Sequence, residues 1–342
     1  MALSALAVSA LLTQLMRKVA AGSGVLDVPN PRSSHRVPTP RGGGVAVVAV
    51  TTSGLGGLAL YGLVQLDLLC ALAGGGLAVA FVGLADDRWS LSAGARLTVH
   101  FIAALWALGW LGGLPALRVG DHVVWPGWTG YVFGALGIVW AVNLFNFMDG
   151  IDGIAAAEAT FIGVAGSLLC VPTALGTGVA FAGLTLASAS AGFLLWNWPP
   201  ARIFLGDVGS GYLGYMIVVL AVAATRDNPV ALWVWLILGG AFFVDATVTL
   251  LRRSLRGERV HEAHRSHAYQ RLASRWGSHG RVAFVVLVTN LAWLLPWALV
   301  AMRTPRFAAT AVIIALAPLA AVALAIGAGR KEGSVSETMN QG

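Results

Sequence analysis

The chain has 342 residues, of which 57% are hydrophobic and 11% charged, and its mean hydropathy is +0.77. Soluble domains carry about 25% charged residues, so an ordinary soluble enzyme is excluded, and a disordered chain would need low hydrophobicity with high net charge. The formal net charge of +7 comes mainly from arginines that lie between apolar runs rather than on one soluble face, which argues against a nucleic-acid partner.

Eleven apolar runs are long enough, or nearly so, to cross a membrane, because a hydrocarbon core of about 30 Å needs roughly 20 apolar residues per helix. In chain order they are 3–22, 44–64, 68–85, 95–112, 129–145, 154–172, 177–195, 211–225, 230–250, 281–301 and 307–328. The sixth run is weakened by Glu158 and the eighth is short. The pattern predicts an all-α polytopic integral membrane protein with about 10–11 transmembrane helices, forming one membrane-embedded domain over 1–342.

The basic residues predict the orientation. Arg17 and Lys18 follow the first apolar run instead of preceding it, which predicts an uncleaved helix rather than a signal peptide. With the N-terminus outside, 18 of the 22 basic residues fall on the inner side, as the positive-inside rule requires. The main inner loops are then 23–43 and 251–280, 329–342 is an inner polar tail, and the inner face is the cytoplasmic one.

Five aspartates are predicted to meet at this inner face, at the ends of the third, fifth and eighth runs. They are Asp86, Asp87, Asp149, Asp152 and Asp207, and Asp27 and Asp245 are expected on the same face. Without lysines beside them, such acids would repel one another unless a cation lay between them, and hard oxygen ligands favour Mg²⁺ or Mn²⁺. The alternative is that each acid is a solvated cap at a helix end.

Glycines accompany these aspartates. The stretch GDVGSG (206–211) opens a helix with small residues, so its backbone N–H groups and the positive helix end could face an anion. In DGIDG (149–153), two carboxylates lie three residues apart beside flexible turns. A GDxGS pattern alone is weak evidence, because glycines at helix starts are common, but its occurrence together with the DD pair and NxxNxxDGxDG strengthens the case for a site.

The loop 252–281 carries eight arginines and four histidines. His264 and His267 are spaced to share one helix face, and with Arg265 they could bind phosphates. Contact with anionic lipid headgroups is the alternative for the loop, and zinc is disfavoured because no cysteine accompanies the histidines. We expect His264 to matter more for substrate use than His279. The loop that contains Arg41 is either a shaped part of the site or a plain connector.

Five motifs occur in the order typical of one enzyme family. They are DVPNPRSSHRVPTPRGGG, GLADDRWSLSAGARL, NLFNFMDGIDGIAAAEA, WNWPPARIFLGDVGSGYLG and HEAHRSHAYQRL. Together they resemble the polyprenyl-phosphate N-acetylhexosamine-1-phosphate transferases, glycosyltransferase family 4. The HRSHAYQRL step most resembles the O-antigen-initiating branch, which uses UDP-N-acetyl-deoxyhexosamines. It departs from the consecutive histidines of the peptidoglycan enzymes and from the HxHH step of the common-antigen type.

The resemblance implies a Mg²⁺-dependent enzyme of the bacterial inner membrane. It would transfer a sugar 1-phosphate from a UDP-N-acetylhexosamine to undecaprenyl phosphate, with UMP as the second product. Membrane lipids would surround it, and a homodimer is left open.

The resemblance also implies roles for individual residues. Asp207 would be the first metal ligand and Asp149 a further one, and both Asp149 and Asp152 would serve catalysis. Asp86 and Asp87 would position the lipid phosphate and could deprotonate it. Phe204 would stack on uracil. The remaining substrate contacts would come from Arg41, Asn143, Asn146, His264, Arg265 and His267.

Two other classes of protein share some of these features. Secondary transporters also place ionisable groups in broken helices, but their sites usually lie near the bilayer midplane between repeated halves. No repeat is visible here, and the acids lie at helix ends. A metal-dependent membrane phosphatase acting on polyprenyl phosphates would use similar carboxylates, and it would be recognised by the release of free phosphate instead of UMP.

Overall fold

The computed structural model describes residues 1–24, 26–29, 37–170, 176–258 and 264–330. It is 77% helical, which confirms the all-α membrane fold. The strands in the described ranges form two short antiparallel pairs, β1 (Leu26–Asp27) with β2 (Thr39–Pro40) and β3 (Leu117–Val119) with β4 (His122–Val124). Residues 30–36, 259–263 and 331–342, which belong to the predicted loops and tail, lie outside the described part of the chain.

Thirteen helices follow one another along the described residues. They are α1 (Ala2–Ser23), α2 (Gly44–Leu60), α3 (Leu66–Trp89), α4 (Ala93–Leu111), α5 (Thr129–Met148), α6 (Ile154–Cys170), α7 (Gly176–Asn197), α8 (Asp207–Asp227), α9 (Ala231–Leu238), α10 (Gly240–Leu255), α11 (Ala268–Trp276), α12 (His279–Arg303) and α13 (Ala308–Ile326).

Each of the eleven apolar runs lies on one of these helices or on the bent pair α9–α10. Within the described ranges, eight helices are long and apolar enough to cross a membrane, and the bent pair makes a ninth. Helices α2 and α6, with 17 residues each, are shorter than a full span. The run 230–250 is not one straight helix, because the chain bends by 74° between α9 and α10, where Gly239 and Gly240 adjoin.

Helix α8 is the centre of the bundle, and 94% of its most apolar window is buried. It packs against α2, α3, α5 and α7. Small residues allow this close packing: a Cβ on Gly44 would overlap the backbone of Gly209. The central position of α8 brings its first residue, Asp207, beside the ends of α3 and α5. We call this part of the molecule the site end.

Candidate active site

Three of the five predicted aspartates line one cavity at the site end. Its volume is about 210 Å³, and its walls include Asp149, Asp152 and Asp207 together with Arg41 and Asn146. Asp149 directly follows α5, Asp152 lies in the turn before α6, and Asp207 begins α8. The gathering of acids expected from the topology is therefore present in the structure.

Asp87 is bound to the start of α8. Its Oδ1 accepts a hydrogen bond from the backbone N–H of Asp207 at 3.1 Å, and its Oδ2 accepts one from the N–H of Val208 at 3.3 Å. The next two N–H groups, of Gly209 and Ser210, donate to the carbonyl oxygen of Gly206. The sequence allows for an anion at this helix end, and in the structure the Asp87 side chain occupies that position.

Gly206 makes this arrangement possible. Its φ of 77° lies in the left-handed region that favours glycine. A Cβ at this position would lie 2.7 Å from Asp87 Oδ2. The glycine before Asp207 therefore allows both the turn into α8 and the close approach of Asp87.

Two guanidinium groups separate the acids. Arg41 Nη2 lies 2.8 Å from Asp87 Oδ1 and 2.9 Å from Asp207 Oδ1. Arg96 Nη1 lies 2.6 Å from Asp86 Oδ2 and 3.9 Å from Asp207 Oδ2. The expectation that only a metal could relieve repulsion among these carboxylates is therefore incomplete.

Arg41 keeps its charge in this setting. Burial alone would lower the pKa of Arg41, but the carboxylates of Asp87 and Asp207 raise it above its ordinary value. Its side chain is still 34% exposed and borders the cavity. A substrate phosphate entering the cavity would meet a guanidinium already fixed in direction by two carboxylates.

The segment that carries Arg41 is attached to the segment before α8. The Phe204 N–H donates to the Pro40 carbonyl at 2.8 Å, and the Gly43 N–H donates to the Phe204 carbonyl at 2.9 Å. Phe204 also lines a second, larger cavity of about 760 Å³, together with Asp152, Arg265 and His279. It therefore lies where the two cavities meet, a place suited to stacking on a base.

Asp149 is half-buried in the cavity wall. Desolvation raises the pKa of Asp149 well above its usual range, and the nearby Asp207 carboxylate raises it further. Asn146 Nδ2 donates to Ser210 Oγ at 3.2 Å, which joins α5 to α8 beside this carboxyl group. Asn143 differs, because its Nδ2 donates to the Val139 carbonyl of its own helix at 2.7 Å.

Asp152 is fixed by residues that the sequence reasoning missed. Its Oδ2 accepts a hydrogen bond from the Ala201 N–H at 3.0 Å, and its Oδ1 lies 3.3 Å from His279 Nδ1. Next to it, Asn197 Oδ1 accepts a hydrogen bond from the Gly153 N–H at 3.0 Å. His279 begins α12 and lines both cavities. The one signal in the sequence was its place at a helix start on the predicted inner face.

The two histidines of the HRSH step lie away from these cavities. Helix α11 begins at Ala268, so the helical spacing expected for His264 and His267 is wrong, although their rings stack with centroids 4.9 Å apart. His267 is buried, and the lining of neither cavity includes either histidine. Arg265, between them, does line the larger cavity.

The residues present fit a divalent cation only in part. Among the described residues, no three histidine, cysteine or acidic side chains are grouped so as to hold a metal by themselves. Asp149 and Asp207 do share the cavity, and Mg²⁺ commonly binds one or two carboxylates and completes its shell with water and substrate phosphates. The donor set therefore fits a cation that arrives with a phosphorylated substrate.

Comparison with known proteins bears on the same residues. The segment 69–225, which contains all five aspartates, matches the model of glycosyl transferase family 4. A probable undecaprenyl-phosphate N-acetylglucosaminyl 1-phosphate transferase of Bacillus subtilis is 27% identical over 288 residues, 81% of this chain and 77% of the relative. The chain is thus similar to members of this family over the segment that contains the site. The resemblance noted in its motifs is thereby confirmed, while the O-antigen-initiating branch stays a prediction.

Two further relatives are similar over most of this chain. A decaprenyl-phosphate N-acetylglucosaminephosphotransferase of Mycobacterium tuberculosis is 28% identical over 307 residues, 79% of this chain and 74% of the relative. A putative glycosyltransferase of Streptomyces coelicolor is 34% identical over 289 residues, 82% of this chain and 64% of the relative. The similarity of the chain to these relatives thus extends beyond the segment matched by the family model.

Proposed function

We propose that this chain transfers an N-acetylhexosamine 1-phosphate from a UDP-sugar to undecaprenyl or another polyprenyl phosphate. The observation that carries the proposal is the cavity in which three aspartates and Arg41 meet at one end of an apolar helix bundle. The names of the Bacillus and Mycobacterium relatives support it, since they describe transfer of N-acetylglucosamine phosphate to polyprenyl phosphates. The 18 inner basic residues support a site on the cytoplasmic face of the bacterial inner membrane.

In the reaction, an oxygen of the polyprenyl phosphate forms a bond to the phosphorus that carries the sugar. The bond from that phosphorus to the oxygen bridging to UMP breaks, and UMP leaves with the electron pair. A phosphate monoester has a second pKa near 6 and is mostly a dianion at neutral pH, so no strong base is needed. Asp86 and Asp87 then act by holding Arg96 and Arg41 in place for the phosphates.

Mg²⁺ would be held by Asp207 and Asp149 and by the phosphates of the donor. When bound, it would neutralise charge that develops on the departing UMP. Asp152 faces the same cavity and is held by the Ala201 N–H and by His279, so it is placed to bind the donor. Phe204, where the cavities meet, would support the uracil ring.

Two observations favour different donor sugars. The names of the relatives favour N-acetylglucosamine as the sugar. The HRSHAYQRL step favours a UDP-N-acetyl-deoxyhexosamine and the start of O-antigen-type synthesis. Arg265 in the larger cavity is the residue of this step best placed to discriminate between them.

The test is release of UMP by the detergent-purified protein. The assay contains undecaprenyl phosphate, Mg²⁺ and a panel of UDP-N-acetylhexosamines, with EDTA added in a parallel sample. Asp121→Asn is a matched control, because Asp121 is exposed and pairs with Arg306 away from the site. Metal-dependent UMP release with one sugar supports the proposal and names the donor. Release of free phosphate instead would identify a phosphatase.

A further inference from the structure

Asp245 is a buried acid that lines neither of the two cavities described above, yet it binds the start of the helix beside them. It lies in α10, and its Oδ1 accepts a hydrogen bond from the Ala268 N–H at 2.8 Å. Its Oδ2 accepts one from the Tyr269 N–H at 2.9 Å. The carboxylate therefore satisfies the first two backbone donors of α11, which have no partner within the helix.

Two more groups face the same carboxylate. Thr249 Oγ1 donates to Asp245 Oδ1 at 3.1 Å, and His267 Nδ1 lies 3.4 Å from that oxygen. The Ala268 and Tyr269 N–H groups donate to different oxygens of the Asp245 carboxylate. An asparagine has only one acceptor oxygen and could satisfy only one of these two donors in this geometry. This position therefore requires a carboxylate, because two acceptor oxygens are needed to satisfy both backbone donors.

Helix α11 in turn contacts the turn that carries Asp149. Tyr269 Oη donates to the carbonyl of Phe147 at 2.9 Å. A Cβ on Gly150 would overlap the same hydroxyl, so glycine lets the turn lie directly against Tyr269. The next residue, Gln270, lines the cavity together with Asp149.

We infer that Asp245 is a positioning residue: it holds α11 so that Tyr269 fixes the turn 147–150 and, with it, Asp149 in the cavity. The effect on turnover rests on the proposed function. The effect on the turn does not, because it follows from the contacts of Asp245 and Tyr269 alone. Plain capping of α11 would stabilise the helix without any consequence for the turn.

A double-mutant cycle tests this coupling. Asp245→Asn is combined with Tyr269→Phe, and Tyr212→Phe is the matched control, because Tyr212 is a buried tyrosine of α8 that bonds Thr52 instead. We expect Asp245→Asn to lower kcat at least about tenfold and to change KM by less than about threefold, since misplacement of a reacting group acts on the chemical step. The effects of Asp245→Asn and Tyr269→Phe should be less than additive, and those of Asp245→Asn and Tyr212→Phe additive.

Hydrogen exchange supplies a measurement that does not depend on activity. Asp245→Asn should accelerate amide exchange both at 268–270 and at 147–150, whereas Tyr269→Phe should accelerate it at 147–150 and Tyr212→Phe at neither. Unchanged exchange at 147–150 in Asp245→Asn, or additive effects on kcat with Tyr269→Phe, would overturn the inference. If the unmodified protein released no UMP, the proposed function would fail while the exchange experiment still decided the role of Asp245.

Discussion

The carboxylate of Asp87 accepts a hydrogen bond from the backbone N–H of Asp207, and the two side chains share one nitrogen of Arg41. Three distant parts of the chain thus meet in one unit. The adjacent Asp86 belongs to a different set of contacts, with Arg96 and the Leu91 N–H. The two aspartates of the DD pair therefore have different roles. Asp87 caps the N-terminus of α8, and Asp86 orients the Arg96 side chain.

This division predicts different consequences for stability. Asp87→Ala removes the acceptor for two helix N–H groups and the partner of Arg41, so we expect it to lower the free energy of unfolding by about 1–2 kcal/mol. Asp86→Ala leaves the start of α8 intact and should cost less. Thermal unfolding of the purified variants in detergent measures both. An equal loss in the two variants would contradict the division.

Asp207→Asn should abolish transfer while the protein still folds. The substitution keeps an oxygen that can accept from Arg41 but removes the negative charge that a cation in the cavity would need. We expect UMP release to fall at least about 100-fold, as it does when one preorganised electrostatic group is removed. Asp121→Asn serves as the control, and a single symmetric peak in gel filtration checks the fold. Substantial Mg²⁺-dependent turnover by Asp207→Asn would remove Asp207 as the essential ligand.

The sequence predicted the helices because hydropathy is a local property, and the alternation of spans then placed distant acids at one face. It read 230–250 as one span, whereas the structure bends there by 74°. Asp245 lies in α10, after this bend, and binds the first N–H groups of α11. No local pattern shows the bend except the adjoining glycines, which also occur within straight helices.

The contacts inside the site could not be predicted, since each joins residues far apart in the chain. Arg96 was counted only as an inner basic residue and Arg41 as a substrate contact, although both pair with the acids. His279 was ranked below His264, although it lies beside Asp152, which is 127 residues away in the chain. Chain folding, and no motif, brings these groups together.

The lining of the cavities favours a larger role in substrate use for His279 than for His264, the opposite of the expectation from the sequence. His279 borders both cavities and lies 3.3 Å from Asp152 Oδ1, whereas His264 stacks on the buried His267. We expect His279→Ala to reduce kcat/KM for the UDP-sugar about tenfold or more, and His264→Ala to reduce it less. The reason is that only His279→Ala removes a contact of the Asp152 carboxylate, which faces the cavity. Steady-state kinetics with varied donor concentration decides the order. A larger loss in His264→Ala would restore the ranking suggested by the sequence.

Gly206→Ala should damage the site through the backbone. A side chain at φ 77° is strained, and the added Cβ would lie 2.7 Å from Asp87 Oδ2. We expect a loss of about 1–2 kcal/mol in the free energy of unfolding, together with reduced UMP release, because Asp207 is the next residue. Gly94→Ala is the matched control: it also lies near the start of a helix at the site end, with open space around its Cβ. Since alanine favours helix, Gly94→Ala should leave stability unchanged or raise it slightly. If both variants behaved alike, the close approach of Asp87 to Gly206 would not limit the site.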